Sequence, residues 1–240
     1  MKIQIAHLYS EFLNLYGDRG NIASLTHRLL KRGIECELTQ YDLDDKIDFE
    51  NTDIVYLGGG TDKDQITVLS KLLEYKDEFK NYIENGGVAL CVCGGFELLG
   101  KYLMIGNEKK DALDILDIYT IQDKERHIGN IVIHSDIIDD KIVGFENHSS
   151  LICLNGYDCL GKVEKGFGND GKSRLEGLVY KNLIATSMHG PLLPKNPKLC
   201  DHILSLAIKR RFGEFNLCPL DDTLENNAHD YAVKRFSQKN

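Results

Sequence analysis

The chain has 240 residues, of which 42% are hydrophobic and 28% charged, and its formal net charge is −8. This composition is typical of a globular protein, and the length fits one large α/β domain or two small ones. The acidic balance argues against nucleic acid as the main partner, and no apolar run approaches the roughly 20 residues that insert into a bilayer. The amino terminus lacks the apolar stretch of a signal peptide, so we expect a cytoplasmic protein with mostly free cysteines.

The first 100 residues alternate between short apolar strands and helices. Strands are predicted at 3–8, 36–41, 53–57 and 88–92, and helices at 21–31, 65–83 and 96–102. The candidate at 36–41 alternates, whereas the others are mainly continuous apolar runs, which are typical of parallel strands buried on both faces. We therefore predict an α/β fold with a mainly parallel sheet flanked by helices.

The second half of the chain reads differently from about residue 114. Short strand candidates follow one another at 115–121, 128–135, 141–145, 157–163, 175–180 and 183–187. Consecutive strands of this kind predict an antiparallel extension of the sheet. A last clear helix is predicted at 199–212. We assign residues 1–215 to one domain and residues 216–240 to a carboxyl-terminal tail, which is either a docking segment or a frayed helix.

The strongest chemical signal is the segment VALCVCGGFELLG at 88–100. An apolar strand runs into Cys93, which is followed at once by two glycines and a helix, the pattern of a nucleophile elbow. The helix amino terminus favours the thiolate form, and the Gly94 N–H can face a developing oxyanion. The alternative is a buried core Cys at the end of a strand. Cys91 is expected to be a packing thiol, and no second Cys/His pair has the spacing of a zinc site, so no metal is predicted.

A Cys nucleophile needs a base, and His189 has the most suggestive setting. It ends an apolar segment and enters a Gly-Pro turn, which places it at the carboxyl end of a late strand, where sites gather in open parallel sheets. We therefore expect Cys93 and His189 to converge. The rival candidate is His148, and a lone His can also be an ordinary turn residue.

The turn after the predicted strand 53–57 contains a Gly triplet at 58–60. It lacks the Lys of a phosphate-binding P-loop. Beside Cys93, the N–H groups of Gly59 and Gly60 are candidates for the second oxyanion donor. The alternative is a tight strand-to-helix turn with no chemical role.

Four segments together resemble class I glutamine amidotransferases of the cobyric acid synthase type. They are LGGGTDKDQ at 57–65, VCGGFELLG at 92–100, GFENH at 144–148 and MHGPLLP at 188–194. The resemblance covers residues 2 to 230 and is closest to the glutaminase subunits of bacterial lipid II isoglutaminyl synthases. It implies the flavodoxin-like fold of class I glutamine amidotransferases.

The resemblance also implies an activity. The chain would hydrolyse L-glutamine, with Cys93 as nucleophile and His189 as general base, while Arg126 holds the α-carboxylate of glutamine. The ammonia would pass to a Mur-ligase-like synthetase subunit in a heterodimer, and that subunit would use ATP to amidate the D-glutamate of lipid II. No cofactor is expected in this chain. The alternatives are a glutaminase for a cobyric-acid-type amidation and a catalytically silent binding or scaffold subunit.

The sequence departs from the family pattern at several positions. Pro191 stands where other class I amidotransferases have a Glu that orients the His, so the orienting group is not identified by the sequence. Glu97 replaces the usual Gln, and an ionised carboxylate cannot donate a hydrogen bond. Cys91 replaces a Gly, and Thr61 follows the Gly triplet where Gln is frequent.

Overall fold

The computed structural model describes residues 1–105 and 108–237. Its strands are β1 (Lys2–Leu8), β2 (Glu35–Tyr41), β3 (Ile54–Leu57), β4 (Val88–Val92), β5 (Tyr102–Ile105), β6 (Glu108–Asp111), β7 (Tyr119–Ser135), β8 (Asp140–Cys153), β9 (Gly161–Lys165), β10 (Leu175–Glu176), β11 (Leu178–Tyr180), β12 (Leu183–Thr186) and β13 (Met188–His189). Its α-helices are α1 (Arg19–Lys31), α2 (Asp62–Leu72), α3 (Lys76–Glu84), α4 (Gly94–Glu97), α5 (Pro197–Phe212) and α6 (Thr223–Ser237).

The main sheet has six strands in the order β11-β12-β4-β3-β1-β2. All neighbouring strands are parallel except the edge pair β11 and β12. Every residue of β3 and β4 is buried, since each face of the sheet is covered by a core. In β3, Val55 and Leu57 pack into one core, and Ile54 and Tyr56 pack into the other. The predicted parallel sheet flanked by helices is confirmed.

Most of the antiparallel strands form a second sheet, in the order β10-β9-β7-β8-β13. The predicted strands 115–121 and 128–135 both fall in or beside β7, which pairs with β8 in a long hairpin. Only β11 extends the main sheet in the antiparallel sense. The chain leaves β12 in the main sheet and enters β13 in the second sheet, so His189 lies where the two sheets meet.

Two helix predictions are wrong in extent. The predicted helix 65–83 is divided into α2 and α3 by a 3-10 turn at Leu73–Tyr75, and the change of direction lets Tyr75 and Phe79 both pack on Phe49, with ring centroids 6.4 and 5.2 Å away. The predicted helix 96–102 is the short α4 followed by β5. The chain turns at Gly100, where a Cβ would lie only 2.8 Å from the carbonyl oxygen of Ile118.

The tail contains helix α6, which contacts the body of the protein. Asp222, just before this helix, forms an ion pair with Arg28 of α1 at 2.7 Å. Nδ1 of His229 in α6 lies 2.8 Å from the carbonyl oxygen of Lys195. Across residues 1–105 and 108–237, no helix combines the length and the apolar character needed to cross a membrane.

Candidate active site

Cys93 lies at the carboxyl end of β4 in a strained conformation, with φ 51° and ψ −110°. A positive φ is uncommon outside Gly and costs of order 1–3 kcal/mol, so surrounding bonds must hold it. The Cys93 N–H donates to the carbonyl of Thr186 at 2.7 Å, and its own carbonyl accepts from Phe96 and Glu97 at 2.9 and 3.0 Å. This turn presents the thiol to a cavity of about 530 Å³.

The glycines after Cys93 are required by close backbone approach. A Cβ on Gly95 would lie 2.4 Å from the carbonyl oxygen of Leu57, and its N–H donates to Gly58 at 3.0 Å. A Cβ on Gly94 would lie 2.8 Å from the carboxamide of Gln65. The ends of β3 and β4 are therefore held together, and Gly94 begins α4 with an N–H that has no acceptor within the helix.

His189 is fully buried, and the structure brings it to Cys93 across Gly59. Its Cε1 atom and the Cβ atom of Cys93 each lie 3.1 Å from the position that a Cβ on Gly59 would take. Its Nδ1 atom lies 3.5 Å from Oδ1 of Asp18, whereas Nε2 is buried and makes no hydrogen bond with the described residues. Nε2 is thus the nitrogen available for chemistry.

Asp18 is the residue that the sequence did not single out. It is fully buried, and its second oxygen, Oδ2, accepts a hydrogen bond from the Gly59 N–H at 3.2 Å. It follows a turn in which Tyr16 and Gly17 have φ angles of 55° and 80°. Its only local signal is that this Gly-Asp turn follows β1, a strand that ends at the same edge of the sheet as β3 and β4.

The charges around His189 favour its protonated form. Burial alone would lower the pKa of His189, but the Cys93 sulfur and the Asp18 carboxylate outweigh burial and raise this pKa to about 10. An imidazolium beside a sulfur stabilises a thiolate, which is the nucleophilic form of Cys.

Arg126 lines the same cavity and is held by Asn147 of β8. Its Nε donates to Asn147 Oδ1 at 2.5 Å and its Nη2 to the Asn147 carbonyl at 3.2 Å. Asn147 Nδ2 donates in turn to the Tyr16 hydroxyl at 2.6 Å, and the Tyr16 ring packs edge-on against His189 with centroids 4.8 Å apart. A short chain of contacts therefore joins the guanidinium to the imidazole.

Glu97 and His148 also line the cavity. Burial raises the pKa of Glu97 to about 7, against the opposing effects of Ser150 and His148. A protonated carboxyl can donate a hydrogen bond, as a Gln would. The rival base His148 has Nδ1 at 2.9 Å from the Ser150 carbonyl and Nε2 at 3.9 Å from Glu146. Of the two histidines, it is therefore His189 that contacts Asp18.

Within residues 1–105 and 108–237, no group of three or more His, Cys, Asp and Glu side chains is arranged to hold a metal ion.

A Cys on a strained strand-to-helix turn, beside a buried His that contacts an Asp, is the set of groups that thiol-dependent hydrolases use, and here it lies at the carboxyl edge of an α/β sheet. Residues 4–197 match the model of the CobB/CobQ-like glutamine amidotransferase domain. The chain belongs to this family and is a glutamine amidotransferase, so the resemblance carried by the four sequence segments is confirmed.

Two relatives match the chain over almost all of its length. The lipid II isoglutaminyl synthase (glutamine-hydrolyzing) subunit GatD of Staphylococcus aureus (strain N315) is 37% identical over 239 residues, which cover 99% of this chain and 98% of the relative. The protein of the same name from Streptococcus pneumoniae (strain ATCC BAA-255 / R6) is 37% identical and covers 96% of this chain and 91% of its own length. A crystal structure of a glutamine amidotransferase shares the fold, with a TM-score of 0.58 at 16% identity, over 84% of this chain and 98% of the other.

Proposed function

We propose that this chain is the glutaminase subunit of a lipid II isoglutaminyl synthase. The observation that carries this proposal is the 37% identity to the Staphylococcus aureus GatD subunit, which spans 99% of this chain and 98% of that one. The site geometry supports it, because the thiol, imidazole and guanidinium needed to hydrolyse an amino acid amide occupy one place. The product would be ammonia for amidation of the D-glutamate of lipid II to D-isoglutamine in peptidoglycan synthesis.

In the proposed reaction the Cys93 thiolate attacks the side-chain amide carbon of glutamine. The tetrahedral intermediate collapses as His189 Nε2 gives a proton to the departing nitrogen, which releases ammonia and leaves a glutamyl thioester. His189 then takes a proton from water, which hydrolyses the thioester to glutamate and restores the thiol. Asp18 holds the ring through Nδ1 and stabilises its positive charge.

The oxyanion of each tetrahedral intermediate needs two N–H donors. The Gly59 N–H already donates to Asp18, so we assign the donors to Gly94, which follows Cys93 in the chain, and to Gly60, which lines the cavity with Cys93. In this assignment Gly59 serves by having no side chain between Cys93 and the ring.

We propose that Arg126 binds the α-carboxylate of glutamine. Its Nε and one N–H of Nη2 are already engaged by Asn147, which leaves one N–H on each of Nη1 and Nη2 for a two-point contact with a carboxylate. Asn147 and Tyr16 would hold this edge at a fixed distance from the imidazole.

The amide bond must be formed by a second chain. The Gly triplet at 58–60 lacks the P-loop Lys, so we propose that ATP is used by a Mur-ligase-like synthetase subunit that forms a heterodimer with this chain, in the cytoplasm. The exposed side chains of Leu224 and Tyr231 on α6, 80% and 65% accessible, support the tail as one docking surface.

The test is to co-express the chain with the synthetase and to assay amidation of lipid II with ATP. Glutamine-driven amidation should require Cys93, whereas amidation driven by an ammonium salt should survive Cys93→Ala, since that route bypasses the thioester. Cys91→Ala, two residues earlier in the buried strand β4, is the matched control and should largely keep the activity. Glutamine-driven amidation by the Cys93→Ala complex would overturn the proposal.

A further inference from the structure

Gln65 on α2 is a buried polar side chain that the reaction described above does not use. It is 5% exposed and lines the cavity together with Cys93 and Arg126. Its Nε2 donates to the Gly60 carbonyl at 3.4 Å, but its Oε1 is buried and accepts no hydrogen bond from the described residues. A buried oxygen without a donor costs free energy, and such a group in a binding cavity is an acceptor ready for a ligand.

The orientation of this carboxamide follows from its neighbours. Exchanging its oxygen and nitrogen would put Oε1 against the Gly60 carbonyl oxygen, and two acceptors repel each other. The Gly60 carbonyl therefore fixes Nε2 on its own side and leaves Oε1 as the free group.

The carboxamide also lies against the nucleophile turn. A Cβ on Gly94 would come within 2.8 Å of both Cδ and Nε2 of Gln65, so the amide group packs on the residue that follows Cys93. A ligand in the cavity that contacts this carboxamide is consequently beside the turn that carries Cys93.

We propose that Gln65 Oε1 accepts a hydrogen bond from the carboxamide NH₂ of bound glutamine and so makes the site select an amide over a carboxylate. This inference rests on the proposed glutaminase function. The NH₂ group supplies the donor that Oε1 lacks. The carboxylate of the glutamate product has only acceptors, so its oxygen faces Oε1 without a hydrogen and is disfavoured.

The test compares an amide with an ester in the same variant. Gln65→Met keeps the length and shape of the side chain, and with it the packing against Gly94, but removes the acceptor. L-Glutamine and L-glutamate γ-methyl ester would form the same thioester, yet only the amide offers an N–H to Oε1. We expect Gln65→Met to lower kcat/KM for glutamine by about 5- to 15-fold and not to lower kcat/KM for the ester, whose alkoxy oxygen also faces Oε1 without a hydrogen.

Inhibition by glutamate gives a second readout. Since Oε1 disfavours a carboxylate, Gln65→Met should bind glutamate no more weakly than the wild type, and the ratio of glutamine to glutamate affinity should fall. The matched control is Gln40→Met on the exposed edge strand β2, which should change neither ratio.

The outcomes separate this inference from the function on which it rests. If wild-type chain, alone and with the synthetase, cleaves neither glutamine nor the ester, the proposed function is wrong. If the wild type is active and Gln65→Met loses amide and ester turnover equally, or loses neither, the proposed role of Gln65 is wrong. Ester turnover in the variant also verifies that it is folded.

Discussion

Replacing Asp18 by Asn removes the negative charge that faces His189 and keeps the size of the side chain. The charge acts over 3.5 Å between Oδ1 and the imidazole Nδ1, and both groups are fully buried. An amide oxygen can still accept the Gly59 N–H, so the turn that carries Gly59 should be preserved. The substitution therefore separates the electrostatic role of Asp18 from its structural one.

Two unit charges 3.5 Å apart interact by about 5 kcal/mol at an effective dielectric constant of about 20. This sets an upper bound of about 3.5 on the fall in the pKa of His189. The wild-type value is about 10, and the Cys93 sulfur is the larger of the contributions that raise it, so we expect a fall of about 1 to 3. Loss of the orienting charge should lower kcat for glutamine about 100- to 1000-fold.

The pKa is measured by NMR titration of the His189 Cε1–H signal, and kcat and KM are measured as functions of pH in the same protein. KM should change little, because Arg126 is untouched. Asp136→Asn is the matched control, since it also removes an Asp next to a His. Asp136 is exposed just after β7 and lies 3.6 Å from His134 at the end of that strand. An unchanged pH profile with kcat within about twofold of the wild type would refute the role given to Asp18.

Three further predictions follow from the geometry of the site. Arg126→Ala should raise KM for glutamine about 10- to 100-fold with little change in kcat. An unchanged KM would show that Arg126 does not bind glutamine. Gly59→Ala places a Cβ 3.1 Å from both Cys93 Cβ and His189 Cε1, so kcat should fall about 100-fold while the melting temperature stays near that of the wild type; full activity would contradict the proposed packing. Because the pKa of Glu97 is raised to about 7, the folded protein is penalised as pH rises through 7 and is free of this penalty below about pH 4.5. Urea unfolding should thus find Glu97→Gln more stable than the wild type by up to about 3 kcal/mol at pH 8, with no gain at pH 4; an equal gain at both values would exclude this cause.

The sequence alone determined the parallel half of the fold and the place of Cys93, the proposed nucleophile. Continuous apolar runs mark β3 and β4 because strands covered on both faces need no polar side. The sequence also marks the turn after Cys93 by its two glycines, although the contact that requires Gly95, with the carbonyl of Leu57, is made between strands. His189 could be proposed from its position at a strand end, and Arg126 only from the family resemblance.

The tertiary structure decided what these residues meet. Asp18 contacts His189, and Gln65 packs on Gly94, because β1, β3 and β4 end side by side in the sheet. The order of the strands cannot be predicted from any local sequence pattern. Strand propensity likewise does not predict that β7, β8 and β9 belong to a separate sheet. The alternation of apolar and polar residues indicates which side of a strand is buried, but not which strand it pairs with. The break between α2 and α3 was not visible in the sequence either, because the helical periodicity continues through Leu73; in the structure the break stands beside the packing of Phe79 on Phe49.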